Sequence, residues 1–388
     1  MILVCEPNCV GFEHAEVNAA LIAAIRGAYP AEPITFAAET GQIGQVRARL
    51  EQHGIKEVVF QELSVQPRRR REILRLLPDL FLFYRFFAAA SRTGSDRLLF
   101  CSILSPGLIA IKILMLFFRK IKVYLIPHNV LAQINGPPKR WYFIWPLILW
   151  FRPVMALMNS NRLRYLVLGE PIKKQLCLAL PGVEKHLSVL DLPYFFVVPG
   201  DVREGGEKIV FGALGSGNLE KGIDLFFRAA AEVDGQTTRQ KGKFTLIGHL
   251  AENKIRQVDR SKVVITSPDR PLAWEEYKKQ AEGIDYAVFL YDQQAYRFRI
   301  SAALFDAFSF GKPIIALRSQ FFDHYFDLLG DIGYLCDSYD ELKKTLIDIL
   351  NNDSSDRYRK QRENIIKGRQ KIGIGHVAEQ FKVAWEQQ

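Results

Sequence analysis

Short apolar runs alternate with amphipathic stretches along the first half of the chain. Ile2–Cys5 has the continuous apolar character of a buried strand, and residues 13–26 have the spacing of an amphipathic helix. The same alternation predicts strands at 34–37, 57–60, 98–101 and 122–126, and helices at 45–53, 70–91 and 105–118. Strands that alternate with helices favour a parallel sheet with right-handed crossovers. The sequence therefore predicts a doubly wound α/β domain.

The alternation pauses between Leu192 and Glu207, where proline, glycine and charged residues replace the apolar runs. A pause of this kind is typical of a domain boundary. A second series then predicts strands at 209–214, 244–248, 263–266, 286–290 and 313–317. We therefore expect a Rossmann-like domain over 1–195, a second one over 205–374, and a C-terminal helix over 375–388 that can return to the first domain.

Composition and charge narrow the class of protein. The 388 residues are 48% hydrophobic and 24% charged, which is typical of a globular chain with two domains of ordinary size. The formal net charge is +10, and residues 1–200 hold 24 Lys and Arg against 14 Asp and Glu, so the excess is entirely N-terminal. A basic half suits nucleic acid, an anionic membrane surface or a phosphorylated acceptor. Apolar neighbours of the basic clusters favour the last two, and we expect no nucleic acid partner.

Two apolar segments, 76–87 and 141–151, lie near the basic clusters Arg68–Arg71, Arg119–Lys122 and Lys139–Arg140. Charge or proline interrupts each segment well before the roughly 20 apolar residues that a spanning helix needs. We expect neither to cross a bilayer. Each is either a core segment or an interfacial surface helix, which would also be rich in Trp, Phe, Arg and Lys.

Localisation follows from the start of the chain and its cysteines. No basic n-region precedes the first apolar run, so we expect no secretory signal. The five cysteines show no paired metal-ligand spacing apart from Cys5 and Cys9, which lack a second pair. We expect reduced cysteines and a cytoplasmic protein, with peripheral attachment to the inner face of the plasma membrane as an open alternative.

The stretch 296–313 is the most informative about chemistry. Tyr296, Arg297 and Arg299 form a polar and basic loop before a helix that starts at Ser301 and carries Asp306. A carboxylate on the first turns of a helix, beside arginines, suits a ligand that has both hydroxyls and phosphates. A nucleotide-sugar is such a ligand.

A second candidate is the turn after the strand at 209–214. Gly215, Ser216 and Gly217 allow the backbone to approach a ligand closely, and Lys221 adds a point charge for a phosphate. A tight strand-to-helix turn with a solvated lysine explains the same residues equally well.

Other candidates also follow predicted strands, and in open α/β sheets ligands lie beyond the carboxyl ends of the strands. Gly11, Glu13 and His14 follow the first strand, and His128 follows the strand at 122–126. A histidine suits proton transfer or a hydrogen bond to a sugar hydroxyl. His128 and His14 could equally cap their loops.

Taken together, these motifs resemble the retaining glycosyltransferases of family 4, which have the GT-B fold. The motifs that carry the resemblance are Gly11-Phe12-Glu13, which resembles a Gly-Gly-x-Glu loop; 215–224, which resembles a phosphate loop ending in Lys-Gly-x-Asp; and 286–290 with 301–315, which resembles the donor-sugar loop, helix and strand. The resemblance covers most of the chain. It implies two Rossmann-like doubly wound domains that face a central cleft.

The resemblance also assigns roles. Lys221 would contact the donor diphosphate, Asp306 would take the second glutamate position of the Glu-x7-Glu motif and hold the ribose, and His128 would lie near the donor sugar. Two positions depart from the family. Phe298 falls where the first glutamate belongs, and Ser216 and Gly217 fall where an arginine is common, which leaves Arg297 or Arg299 as substitutes.

The sequence thus predicts a glycosyltransferase that moves a hexosyl unit from a nucleotide-diphosphate sugar to a lipid-linked or polysaccharide acceptor in surface polysaccharide synthesis. We expect a UDP-sugar rather than a GDP-sugar, no other cofactor and no metal, since no Asp-x-Asp pair occurs. Reaction with retention would proceed by front-face attack, whereas inversion would need a base such as Glu13 or His14. The alternatives are a nucleotide-sugar epimerase and a non-catalytic nucleotide-sugar-binding subunit.

Overall fold

The computed structural model describes residues 1–65, 72–128, 130–136, 150–198, 200, 208–236, 241–251, 260–270, 272–352 and 355–386. Three features of the sequence fall wholly or largely outside these ranges. They are the arginine cluster 68–71, most of the apolar segment 141–151, and most of the predicted boundary segment after residue 200.

The first half of the chain forms a parallel sheet with helices between its strands. Its strands are β1 (Ile2–Cys5), β2 (Ile34–Ala38), β3 (Val58–Glu62), β4 (Arg97–Phe100), β5 (Lys122–Leu125), β6 (Leu163–Leu168) and β7 (Leu187–Leu190). Its helices are α1 (Ala15–Ala28), α2 (Thr40–Gln52), α3 (Leu76–Thr93), α4 (Ser105–Phe117), α5 (Phe151–Ala156) and α6 (Glu170–Ala179). The strand order is β3-β2-β1-β4-β5-β6-β7, and every described pair is parallel.

The central strands are buried on both faces, which explains their continuous apolar runs. All four residues of β1 are buried, and Val4 pairs with Phe36 of β2 and Leu99 of β4. Strand β6 was not predicted, because Arg164 interrupts its apolar run. In the structure the Arg164 guanidinium donates 2.8 Å to the carbonyl of Lys185, so the strand accommodates it.

The second half repeats the pattern. Its strands are β8 (Lys208–Leu214), β9 (Lys241–Ile247), β10 (Val263–Ile265), β11 (Tyr286–Phe289), β12 (Ile314–Leu317) and β13 (Gly333–Cys336). Its helices are α7 (Ile223–Val233), α8 (Trp274–Glu282), α9 (Ala302–Ser309), α10 (Gln320–Leu329), α11 (Tyr339–Asn351) and α12 (Ser355–Gly368), and α13 (Ile374–Glu386) ends the described chain. The order is β10-β9-β8-β11-β12-β13, again parallel throughout.

The chain divides into two compact units. The first unit comprises Met1–Phe195, Phe298–Ile300 and Ile372–Gln388, and the second comprises Phe196–Arg297 and Ser301–Lys371. Helix α13 therefore belongs to the first unit, where it packs on α1. Trp385 stacks on Tyr29 with ring centroids 4.8 Å apart, and the Arg97 guanidinium lies over both rings.

Helices α3 and α4 pack closely in the first unit. Gly107 makes this possible, because a Cβ at that position would lie 3.1 Å from the Phe83 ring of α3. Phe118, which directly follows α4, contacts two rings of α3, with centroids 5.9 Å from Tyr84 and 5.4 Å from Phe87. Among the helices of the described ranges, none combines the length and apolar character needed to span a membrane.

Candidate functional site

In the second unit, the turn after β8 contains the predicted glycines. Gly215 has a left-handed backbone, with φ of +82°. The amides of Gly215 and Gly217 donate, at 2.9 and 2.8 Å, to carbonyls at and just beyond the end of β9. A Cβ on Gly217 would lie 2.9 Å from Leu246. These two amides therefore hold the turn against β9, with Ser216 half-buried between them.

Lys221 is positioned by the short helical turn Leu219–Lys221. The Asn218 side chain caps this turn by accepting 2.9 Å from the Lys221 amide. Gly222 follows with φ of +66°, and a Cβ there would lie 2.0 Å from the carbonyl oxygen of Leu290. Only glycine fits this position, because both the backbone conformation and the contact exclude a side chain. The chain is thus tightly constrained at the residue that carries the cation.

The Lys221 ammonium lies in an environment that disfavours its charge. Burial lowers its pKa to about 8, and the nearby Asp306 carboxylate opposes part of this decrease. The Nζ atom is 3.4 Å from the carbonyl oxygen of Leu214, and a Cβ on Gly215 would lie 3.2 Å from Nζ. An anion that approached Lys221 would therefore stabilise the charged form of the amine.

Asp306 lies one turn into α9. The Ser301 hydroxyl caps this helix by accepting from the amide of Leu304, which confirms the helix start that the sequence predicted. The Tyr277 hydroxyl of α8 donates 2.7 Å to the Asp306 carboxylate. A carboxylate has about four acceptor positions, and the Tyr277 hydroxyl occupies one of them.

Tyr291 connects the loop before α9 to Ser301. Its hydroxyl is 2.7 Å from the Ser301 hydroxyl, and its ring stacks on Tyr296 with centroids 4.0 Å apart. Burial raises the pKa of the Tyr291 phenol, so the group stays neutral. Tyr291 and Lys221 also line a small pocket of about 20 Å³. Ser301 and Tyr296, predicted to bind the donor, therefore also have packing partners of their own.

The arginines of the predicted donor loop belong to different units. Arg297 is exposed and belongs to the second unit, whereas Arg299 is half-buried and belongs to the first. Between them, Phe298 is 2% exposed and lines an apolar pocket of the first unit together with Ile300 and His128. At the position where the family has a glutamate, the phenylalanine therefore contributes to packing.

In the first unit, the end of β1 leads into a buried polar network around Glu6. The Glu6 carboxylate is fully buried and accepts from the amides of Asn8 and Cys9 at 3.0 and 3.1 Å. It also accepts from the Ser102 hydroxyl and, at 3.3 Å, from the Asn18 amide. Four donors on one carboxylate fix the loop that follows β1 to the end of β4.

The network continues through Asn8 to Arg75, which is 2% exposed and donates 2.7 Å to the Asn8 side chain. Arg75 also lies 3.7 Å from the Asp79 carboxylate. Burial raises the pKa of Asp79 to about 6, although Arg75 opposes the increase. Two further guanidinium nitrogens of Arg75, Nε and Nη1, have no hydrogen-bond partner in the described parts of the chain.

His14 and His128 come together in the first unit. Their rings meet edge to face with centroids 4.7 Å apart. His14 has a left-handed backbone, with φ of +56°, at the start of α1, and its Nδ1 is 3.3 Å from the Cys9 sulfur. The half-buried Glu13 precedes it. Gly11 is hydrogen-bonded to the N-terminus of α2, because its amide donates 3.0 Å to the carboxylate of Glu39, the N-cap residue of that helix.

The ligand atoms of Glu6, Cys9 and His14 lie within 4.8 Å of one another, which raises the question of a metal site. The Glu6 carboxylate already accepts from two amides and a hydroxyl through one oxygen. Its hydrogen bonds thus account for its burial without an ion. This saturation favours a structural role for the carboxylate.

Several residues of the two strand-end regions were not predicted. They are Glu6, Asn8, Arg75 and Ser102 in the first unit, and Asn218, Tyr277 and Tyr291 in the second. For Glu6 a signal was present, since a carboxylate directly after a buried strand must find donors at the strand ends. Tyr277 carries no such signal, because its hydrogen bond to Asp306 joins side chains 29 positions apart in the sequence.

No family model and no curated protein matches the chain. Solved structures do match along its whole length. HepE of Anabaena, solved in complex with UDP-glucose, is 14% identical with a TM-score of 0.63, over 100% of this chain and 99% of that one. A variant of S. aureus TarM, solved with Fondaparinux, α-GlcNAc-glycerol and UDP, is 11% identical with a TM-score of 0.60, over 99% of both chains. The fold is GT-B.

The GT-B assignment confirms the predicted fold class of two parallel Rossmann-like sheets. The fold is also shared by a Listeria monocytogenes structure described as a UDP-N-acetylglucosamine 2-epimerase, which is 14% identical with a TM-score of 0.55 over 99% of this chain and 95% of that one. At these identities the likeness establishes the fold alone. Membership of family 4 remains a prediction.

Proposed function

We propose that the protein is a GT-B glycosyltransferase that transfers a hexosyl unit from a UDP-sugar to a lipid-linked or polysaccharide acceptor in surface polysaccharide synthesis. The observation that carries the proposal is the proximity of Lys221 and Asp306 in the second unit. A cation for a diphosphate and a carboxylate for ribose hydroxyls lie close enough for the carboxylate to raise the pKa of the amine. HepE and TarM, both solved with UDP, support the choice of nucleotide.

In this proposal Lys221 stabilises the leaving diphosphate. Cleavage of the glycosidic bond increases the negative charge on the diphosphate, and a preorganised ammonium stabilises that charge more in the transition state than in the ground state. Asp306 accepts from the ribose hydroxyls, and Tyr277 holds the carboxylate in place. We propose that these groups act without a metal ion.

The carboxyl ends of the first sheet provide the groups that would meet an acceptor hydroxyl. His14 and His128 lie in contact there, and an imidazole has a suitable pKa for taking a proton. Phe298 stands at the position where family 4 enzymes have a glutamate, so this chain lacks that contact with the donor sugar. Front-face transfer with retention, and inversion with His14 or Glu13 as the base, are therefore both retained as hypotheses.

A panel of nucleotide-sugars and nucleoside diphosphates tests the proposal. We expect UDP and a UDP-sugar to raise the melting temperature, and the UDP-sugar to be consumed only when an acceptor glycan or lipid is added. Isomerisation of the donor without an acceptor would instead support the epimerase, the second candidate, which the Listeria likeness favours. Binding without turnover would support a non-catalytic subunit. Undiminished turnover in EDTA is expected if the reaction needs no metal.

A further inference from the structure

The outer surface of α3 and α4 in the first unit exposes an unusual number of large apolar side chains. We call the surface formed by the following residues the α3–α4 face: Leu77, Phe81, Tyr84, Arg85 and Arg92 on α3, and Leu116, Phe117, Arg119 and Lys120 at the end of α4. Phe81 is 68% exposed and Phe117 is 76% exposed. Most large apolar residues of a folded chain are buried, so a contiguous exposed group of this kind indicates an interaction surface.

The apolar side chains of the two helices form one surface. Leu77, Phe81 and Tyr84 are spaced four and three residues apart, which places them on the same side of α3. Tyr84 contacts Phe118, and Phe118 is the direct neighbour of the exposed Phe117. The apolar side of α3 therefore continues into the end of α4.

Basic residues accompany this surface. Arg85 and Arg92 are exposed on the same side of α3 by helical spacing, and Arg119 and Lys120 are exposed just beyond Phe117, after the half-buried Phe118. Between Asp79 and Glu170 the sequence contains a single acidic residue, Asp96. The α3–α4 face thus combines aromatic side chains with exposed basic ones.

We infer that the α3–α4 face docks on a membrane surface that contains anionic lipids. Phenylalanine and leucine insert at the boundary between headgroups and acyl chains, while arginine and lysine attract lipid phosphates. A nucleic acid partner would match the charge but leave the aromatic side chains without a suitable environment. A second copy of the chain would match the apolar groups but oppose two basic surfaces to each other.

Membrane binding can be tested separately from the proposed reaction, because vesicle binding is measured without nucleotide or acceptor. The full-length protein is sedimented with vesicles of phosphatidylcholine alone and of phosphatidylcholine mixed with phosphatidylglycerol. We expect strong binding to the mixed vesicles at low salt, weak binding to the neutral ones, and release as the ionic strength passes about 0.1 M.

Two sets of variants locate the binding surface. The triple variant Arg85→Gln, Arg119→Gln, Lys120→Gln should lower the partition onto acidic vesicles by about 100-fold, since each cation near the surface contributes about fivefold. The control Lys56→Gln, Lys174→Gln, Lys185→Gln removes three exposed cations elsewhere in the first unit and should lower it much less. The double variant Phe81→Ser, Phe117→Ser should lower the partition onto acidic vesicles by tenfold or more. The control Leu178→Ser, Val383→Ser changes two exposed apolar residues elsewhere in the first unit and should lower it much less.

Equal binding to neutral and acidic vesicles, or no binding to either, would overturn the inference. So would an equal loss in the two triple variants, or sedimentation velocity that shows a dimer abolished by Phe81→Ser with Phe117→Ser. All the substituted side chains are exposed, so we expect unchanged melting temperatures. If the serine pair unfolds, Phe117→Asp alone carries the same test.

Discussion

The two units share one topology but use the carboxyl ends of their strands in different ways. In the first unit, the loop after β1 closes over Glu6, a buried anion that four donors satisfy. In the second unit, the loop after β8 is constrained by glycines and carries Lys221, a cation whose pKa burial lowers. Equivalent places in the same fold thus hold charges of opposite sign. One charge stabilises its own loop, whereas we propose that the other binds a ligand.

The difference between the two units would disappear if Lys221, like Glu6, had only a structural role. We expect Lys221→Ala to lower kcat/KM by about 100-fold or more, because a donor aimed at developing charge typically contributes that much. The melting temperature should change little. Lys243→Ala, an exposed lysine of the same unit, is the matched control and should leave activity intact. A well-folded Lys221→Ala enzyme with parental kcat/KM would remove Lys221 from the mechanism.

The second prediction tests whether Glu6 stabilises the loop after β1 in the first unit. Glu6→Gln should reduce the free energy of unfolding by about 2 kcal/mol, because the new amide group places a donor against donors in a buried site. Chemical denaturation measures this change. Glu13→Gln, at the half-buried neighbour in the same loop, is the comparison and should cost less. A stability loss no greater in Glu6→Gln than in Glu13→Gln would show that the network does not hold the loop.

Asp306 separates donor recognition from catalysis. Asp306→Asn should weaken binding of UDP itself by about tenfold, since an amide cannot accept charge-assisted hydrogen bonds from two ribose hydroxyls. Isothermal titration with UDP and with inorganic pyrophosphate measures the effect. The pyrophosphate affinity should stay nearly unchanged, because that ligand has no ribose. Equal UDP affinity in the mutant and the parent would refute the assignment.

The smallest expected effect is a pH dependence of UDP binding. Lys221 has a pKa of about 8 in the free protein, and a bound diphosphate raises it. The affinity should therefore be nearly constant below about pH 7, begin to fall as the pH approaches the pKa, and fall about fivefold between pH 8 and pH 9, as the free amine loses its proton. UDP is fully ionised in this range because the second phosphate pKa is near 6. The slope should disappear in Lys221→Ala; a persistent slope would assign it to another group.

Much of the architecture could be predicted from the sequence. Buried parallel strands give continuous apolar runs, and each predicted strand of the second unit matches an observed one within a few residues. The start of α9 at its N-cap, Ser301, could also be predicted from the sequence, because a side-chain cap is a local interaction. The strands β6, β7 and β13 were not predicted. Arg164 interrupts the apolar run of β6, and the other two strands span only four residues each, Leu187–Leu190 and Gly333–Cys336.

The candidate site was less predictable, because its contacts join distant parts of the chain. Glu6 meets Ser102 across 96 positions, and Tyr277 meets Asp306 across 29. Phe298 could be predicted in one respect but not in another. Its departure from the glutamate motif was visible in the sequence, but its packing beside His128 in the first unit was not. The roles of the predicted site residues remain proposals for the experiments above.

The close contact at Gly107 has a consequence for the form in which the α3–α4 face would meet lipid. A Cβ on Gly107 of α4 would lie 3.1 Å from the Phe83 ring of α3, so the two helices pack together in the free protein. A disordered basic segment must fold as it binds, and that ordering opposes association. The α3–α4 face lies on helices that are already formed in the free protein, so the inferred docking on a membrane would need no such ordering. Circular dichroism should therefore detect no gain of helix when vesicles are added.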